Sequence, residues 1–174
     1  MAFNVTEFRA NLIGDGARPN LFQVTLNFPT IANNGTSAGQ SAQFLVKSSQ
    51  LPGSSIGTVP MYYFGRELKF AGNRTFSDWT VTVINDENFT IRNSIESWMN
   101  SINSHVGNIR NTTAKTPSSY SVDATVTQYG KDGTDLQNYK FVGIFPVDLS
   151  PIELDWGSND SIEEYSVTFA YQYW

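Results

Sequence analysis

The sequence predicts a mainly β chain with seven or eight strands and one helix, and three observations predict it. Ser, Thr and Asn make up 50 of the 174 residues, and their side chains compete for the backbone hydrogen bonds of a helix. Apolar and polar residues alternate with period two in several segments bounded by Gly and Pro. Only one segment carries a helical period. Charged residues are 16% of the chain, below the quarter or so usual for a soluble domain. Two readings fit that low charge: a surface covered in the working state, or an ordinary polar β-protein.

Residues 1–19, ending in Gly14, Gly16 and Pro19, read as an arm or loop. In 21–28, Phe22, Val24, Leu26 and Phe28 lie on one face and Gln23, Thr25 and Asn27 on the other, which predicts a half-buried strand that Pro29 ends. IANNGTSAGQSA at 30–41 reads as a small-polar loop, followed by a strand over 43–48. LPGSSIGTVP at 51–60 has two prolines and two glycines, which predict a break in regular structure. Strands are expected at 61–64 and 67–70, with Gly65 as a bulge or turn between them. In 78–85, Trp79, Val81 and Val83 alternate with Thr80, Thr82 and Ile84. Both faces of this strand are apolar or β-branched, so a central position is expected.

The period then changes. Ile91, Ile95, Trp98 and Ile102 mark one face of an amphipathic helix over 88–104, capped by Asp86 or Asn88 and stopped before Gly107. A long small-polar linker covers 107–119. In the last third, Val122, Ala124 and Val126 alternate with Asp123, Thr125 and Thr127, and GKDG at 130–133 predicts a hairpin back into 139–145. Pro146 and Pro151 bracket a kinked stretch. Residues 161–174 alternate to the terminus, and the final aromatics are expected to be tied into a sheet. At 19.4 kDa a folded chain buries roughly 70% of its extended surface. One domain over 1–174 is therefore expected.

Composition excludes several function classes. The 24 aromatics argue against disorder, and no uncharged apolar run approaches the ~18 residues of a membrane-spanning helix. The N-terminal residues predict no secretory leader. With no cysteine, disulfides, thiolate metal sites and thiol nucleophiles are impossible. The net charge of −5 opposes tight binding of nucleic acid.

Catalytic constellations are missing too. His105 is the only histidine, which excludes multi-histidine metal sites and leaves one poorly placed candidate for a Ser-His-Asp arrangement. Acidic neighbours such as Asp155 with Asp160 lack the EF-hand pattern. No cofactor and no enzymatic activity are expected. From Asp148 onward there are six acidic residues and no Lys or Arg, either a solvated edge or a surface arranged not to hold polyanions. Tyr62, Tyr63 and Trp79 offer one competing function, a stacking platform for carbohydrate on a β-sandwich.

Three segments resemble a known family. RPNLFQVTL at 18–26, LPGSSIG at 51–57 with MYYFGRELKFAGNRTFSDWTVTVINDE at 61–87, and FPVDLSPIELDWGSNDSIEEYSVTFAYQYW at 145–174 are similar to the tail tube proteins of contractile-tailed, T-even-like bacteriophages. The chain departs from that pattern at 30–41 and in the 107–119 linker.

The resemblance implies an antiparallel β-sandwich or barrel-like subunit with one flanking helix, six copies of which pool strands into a hexameric ring β-barrel. Stacked rings would form the inner tail tube of the virion, assembled in the host cytoplasm. The implied partners are further copies of the chain, the tail sheath, the tape measure, baseplate tube initiators and the tail terminator, with DNA passing through unbound. A tube protein of a related injection system, or a baseplate tube initiator, is the alternative within this class. Expected subunit or ring contacts are Leu51, Pro52, Gly53, Tyr62, Tyr63, Arg66, Gly72 and Arg74. Expected carboxylates of the bore are Asp123, Glu163 and Glu164.

Overall fold

The computed structural model describes residues 4–174, apart from the side chain of Asp15. Helix α1 (Val5–Asn11) is capped by Asn4, whose Oδ1 accepts from the Thr6 N–H at 3.1 Å, and a 3₁₀ turn follows at Ile13–Asp15. The arm expected at the N-terminus is thus partly helical, but α1 buries none of its residues. Residues 1–3 lie outside the described residues.

Six strands make one antiparallel sheet. They are β1 (Phe22–Leu26), β2 (Val46–Ser49), β5 (Trp79–Ile84), β6 (Val122–Tyr129), β7 (Asp135–Leu149) and β8 (Glu164–Ala170), in the order β1–β6–β7–β8–β5–β2. The two remaining strands, β3 (Ser54–Tyr63) and β4 (Arg66–Phe76), pair with each other in a separate hairpin. The eight strands among the described residues fall within the seven or eight expected from the sequence.

β7 gives the sheet its shape. Its first part pairs with β6 and its last part, from Phe145, pairs with β8. The register slips between Pro146 and Asp148, so the expected kink is a bulge inside a strand. The sheet folds over there, and the inward residues of both halves share one core. Trp79 on β5 stacks on Phe141 of β7 at 4.4 Å and tilts against Phe169 of β8 at 5.6 Å. Val24, Leu26, Ala124 and Val126 lie with Phe141 on the β1–β6 half and share one core with Trp79 and Phe169. β5 is flanked on both sides, as its two apolar faces predict.

Helix α3 (Thr90–Ile102) closes one side of the core with Ile91, Ile95 and Trp98, all buried. Its N-cap residue is Phe89 (φ 53°), which makes no side-chain cap bond. Asp86, one of the two expected caps, bonds to the first turn from further upstream, with Oδ1 accepting from the Thr90 N–H at 3.0 Å and Oδ2 from the Thr90 hydroxyl at 2.9 Å. The 107–119 stretch holds a 3₁₀ turn (Thr112–Ala114) and a short helix α4 (Pro117–Tyr120). It is anchored by Trp98, whose Nε1–H donates to the Tyr120 carbonyl at 2.7 Å.

Two sequence expectations are corrected here. The small-polar loop at 30–41 contains most of α2 (Gly35–Leu45), which also absorbs the first half of the strand expected at 43–48. Small residues serve close packing in this helix. Ala38 and Ala42 are buried one turn apart, and a Cβ on Gly39 would stand 3.0 Å from the Leu26 carbonyl. The 51–60 stretch is also not a break, because β3 runs through Gly57 and Pro60. Both are tolerated in a two-stranded ribbon, where every strand is an edge.

The expected last strand ends at Ala170 and not at the terminus. The terminal aromatics are still tied in: Val142 and Tyr173 form a bridge, and Trp174 meets Tyr139 at 5.7 Å.

Candidate assembly surface

The β3–β4 hairpin stands apart from the body. Its ten-residue arm spans about 33 Å, and Phe64 (φ 47°) and Gly65 (φ 77°) supply the two positive-φ positions that a two-residue I′ turn requires. Midway, the register slips between Ile56 and Thr58, opposite Gly72. A Cβ on Gly72 would meet the Gly57 carbonyl oxygen at 3.0 Å and its carbon at 3.2 Å. This backbone approach is why position 72 takes glycine.

The base is fixed to the core. Trp79 Nε1–H is shared between Ser49 Oγ and the Gln50 carbonyl, both at 3.1 Å, and Trp174 Nε1–H donates to the Gly53 carbonyl at 3.3 Å. Leu51, Pro52 and Gly53 form the lead-in between these anchors. Beyond the base, Arg74 reaches Ser54 Oγ at 3.4 Å, and Ser55 and Thr75 share a hydroxyl bond at 2.7 Å.

Every residue of β3 is exposed, and β4 is nearly as open. Tyr62, Tyr63 and Phe64 at the tip are 70%, 65% and 91% exposed. Two-stranded ribbons of this kind are marginal alone in water, and a large exposed apolar patch marks an interaction surface. The whole subunit agrees. A compact monomer of this mass has about 8,500 Å² of accessible surface by the size-scaling relation. The chain has 12,177 Å², roughly 3,700 Å² more, which is in the range that obligate interfaces bury.

Thus Leu51, Pro52, Gly53, Tyr62, Tyr63, Arg66, Gly72 and Arg74 fall on one hairpin and its lead-in. Sequence reasoning missed the tip residue Phe64; Gly65 between two short strands signals the turn, but no pattern assigns a positive φ to Phe64. It also missed the exposed Phe8 and Ile13 of the N-terminal arm and Trp156 in the 150–163 loop.

Asp123, Glu163 and Glu164 are all partnered. Asp123 pairs with Lys140 at 2.8 Å and accepts from the Gly143 N–H at 3.1 Å, and these bonds hold its carboxyl below the usual carboxylate range. Glu164 pairs with Lys47 at 2.6 Å, and Glu163 accepts from the Asn85 amide at 2.8 Å. Asp123 shares the outward face of β6 with Thr125 and Thr127, opposite the buried Ala124 and Val126. Glu163 and Glu164 sit at the other end of the fold, where the chain enters β8.

The carbohydrate platform does not form. Trp79 is 2% exposed inside the core, whereas Tyr62 and Tyr63 are out on the hairpin. His105 lies just past α3, where its backbone N–H donates to Asn100 Oδ1 at 3.2 Å. Among the described residues no group of three potential metal ligands comes together.

The described chain is a folded-over antiparallel sheet with a hairpin that pairs with none of its strands. Solved structures share this fold. The cap of the anti-feeding prophage matches with a TM-score of 0.62 at 16% identity, over 90% of this chain and 91% of that one. A chain of the sheath–tube complex of an extracellular contractile injection system, in the extended state, matches with a TM-score of 0.56 at 16% identity, over 98% and 95%.

Sequence comparison goes further. The profile of a family described as phage tail tube protein matches residues 17–174. The tail tube protein gp19 of Enterobacteria phage T4 is 37% identical over 167 residues, 95% of each chain. The tail tube protein of Serratia phage KSP90 is 29% identical over 171 residues, 96% of this chain and 93% of that one. The chain belongs to the phage tail tube protein family. It is a structural component of the virion.

Proposed function

We propose that six copies of this chain close into a ring whose strands join in a continuous inner barrel, and that rings stack into the tail tube. The single observation that carries this reading is the exposed β3–β4 hairpin, on a subunit with far more surface than a compact monomer needs. Ring closure removes the free edges that β1 and β2 leave on the sheet. Stacking is a head-to-tail contact, which does not close and yields a filament. The whole chain acts as one tube domain, with no catalytic turnover and no cofactor.

In this reading the tube sits inside a contractile sheath and is capped by a terminator. It starts on baseplate initiators and encloses a tape measure protein during assembly in the host cytoplasm. Sheath contraction drives it through the envelope, and DNA then passes along the bore. The polar face carrying Asp123 lines that bore, and Glu163 and Glu164 contribute at its mouth. The ion pairs occupy the ammonium groups of Lys140 and Lys47, so these two cations are engaged rather than offered to phosphate. The net charge of −5 on each subunit adds repulsion within a Debye length of about 8 Å. DNA slides and does not stick.

Negative-stain imaging of purified protein tests the assembly. Six-membered rings and tubes are the expected result. Compact monomers at every concentration and salt would overturn it.

A further inference from the structure

We infer that residues 171–174 form a seat that aims the β3–β4 hairpin, so that its direction on the body is set by a segment outside both of its strands. Each leg of the hairpin meets this segment where it leaves the ribbon. Ser54 and Phe76 are the pair at the ribbon's base. On the β4 leg, the Phe76 ring lies 5.9 Å from that of Tyr171. On the β3 leg, the carbonyl of Gly53, the residue before Ser54, accepts from Trp174 Nε1–H at 3.3 Å.

The seat is clipped to the body without help from the hairpin. After β8 ends, the chain stays beside β7. The Gln172 N–H donates to the Val142 carbonyl and the Val142 N–H donates to the Tyr173 carbonyl, both at 3.0 Å. Tyr171 meets the buried Phe141 edge-on at 5.0 Å, and Trp174 meets Tyr139 edge-on at 5.7 Å. Tyr171 and Trp174 thus each hold one leg of the hairpin and one ring of β7. Gly143 makes room for the clip: its φ of 68° suits glycine, and a Cβ there would stand 3.1 Å from Gln172 Cγ.

This arrangement has a mechanical consequence. A ribbon that pairs with no other strand is joined to its body by two chain crossings, and its own ladder fixes its shape but not its direction. Contacts on both legs remove that freedom. A hairpin aimed in advance loses less orientational entropy when it meets a partner. The seat acts in the free subunit and does not depend on the tube reading. The competing support is the anchor further back, where Trp79 bonds to Ser49 and Gln50.

Distances between two spin labels on the free subunit separate the two supports. The chain has no cysteine, so Thr58→Cys in β3 and Asn93→Cys on α3, both exposed, take the labels alone. With the seat intact, the distance distribution should be narrow. Trp174→Ala should broaden it roughly twofold or more, with Tm close to wild type. Trp174→Phe, which loses only the N–H given to Gly53 and keeps a ring beside Tyr139, should give an intermediate width. If Trp174→Ala unfolds the body, the Trp174→Phe width decides. A wild-type width in the folded variants would assign the aim to the Trp79 anchor and overturn the inference. A distribution already broad in the wild-type background would overturn it too, because nothing would then be aimed.

Discussion

The sandwich body and the β3–β4 hairpin are both rich in aromatics and use them in opposite ways. In the body, Trp79, Trp98, Phe141 and Phe169 are fully buried and touch one another across the folded sheet. In the hairpin, Tyr62, Tyr63, Phe64 and Phe70 face solvent. Neither β3 nor β4 pairs with the body's sheet, and β3 has no buried position at all. The body is folded by its own contacts. The hairpin keeps its apolar surface for another copy, and the two regions should fail in different ways when mutated.

The largest effect is expected at Trp79. Truncation to Ala removes a large buried ring with its stacking on Phe141 and the bonds to Ser49 and Gln50. Such a change costs about 3–5 kcal/mol. Denaturant unfolding of the free subunit should show this loss, and assembly should fail because the subunit is unstable. A loss below about 1 kcal/mol, smaller than the burial of Trp79 permits, would contradict the core described.

Gly72→Val should separate the two regions. Its Cβ collides with the Gly57 backbone in the hairpin, which forces β3 and β4 apart or out of register. The subunit's Tm should stay close to wild type while tubes no longer form. A parallel drop in Tm would mean that the hairpin and body fold as one unit.

The smallest effect belongs to Asp123. Its bonds to Lys140 and the Gly143 N–H hold the carboxyl below its ordinary value in the folded state. A depressed folded-state pKa adds stability that is present at neutral pH and lost as pH falls through that value. Asp123→Asn should therefore lower Tm slightly at pH 7, and the two curves should converge in acid. The effect is small because the pair is well exposed. A gap that widens in acid would contradict the assignment.

Period and punctuation made the body legible. Alternation located β1, β5, β6 and β8, the i/i+4 apolar stripe located α3, and GKDG located the β6–β7 turn. Helix α2 was not legible, since a run of Gly, Ala, Ser and Thr reads as a loop until a neighbouring strand is close enough to need small residues. The length of β3 was hidden for a related reason. Pro60 and Gly57 break a strand inside a sheet but not one in an isolated ribbon. The interface candidates in 51–74 came from family resemblance, and the structure unites them on one arm. The ion pairs of Asp123 and Glu164 depend on cross-strand register and on a contact 117 residues apart. No local pattern carries either.

Hydrogen exchange over residues 54–76 measures most directly whether the hairpin is completed by another subunit. In the free subunit these amides should exchange as an isolated ribbon does, far faster than those of β5 and β8. In the assembled tube their protection should rise toward that of the body. Equal protection of the hairpin in both states would contradict the account.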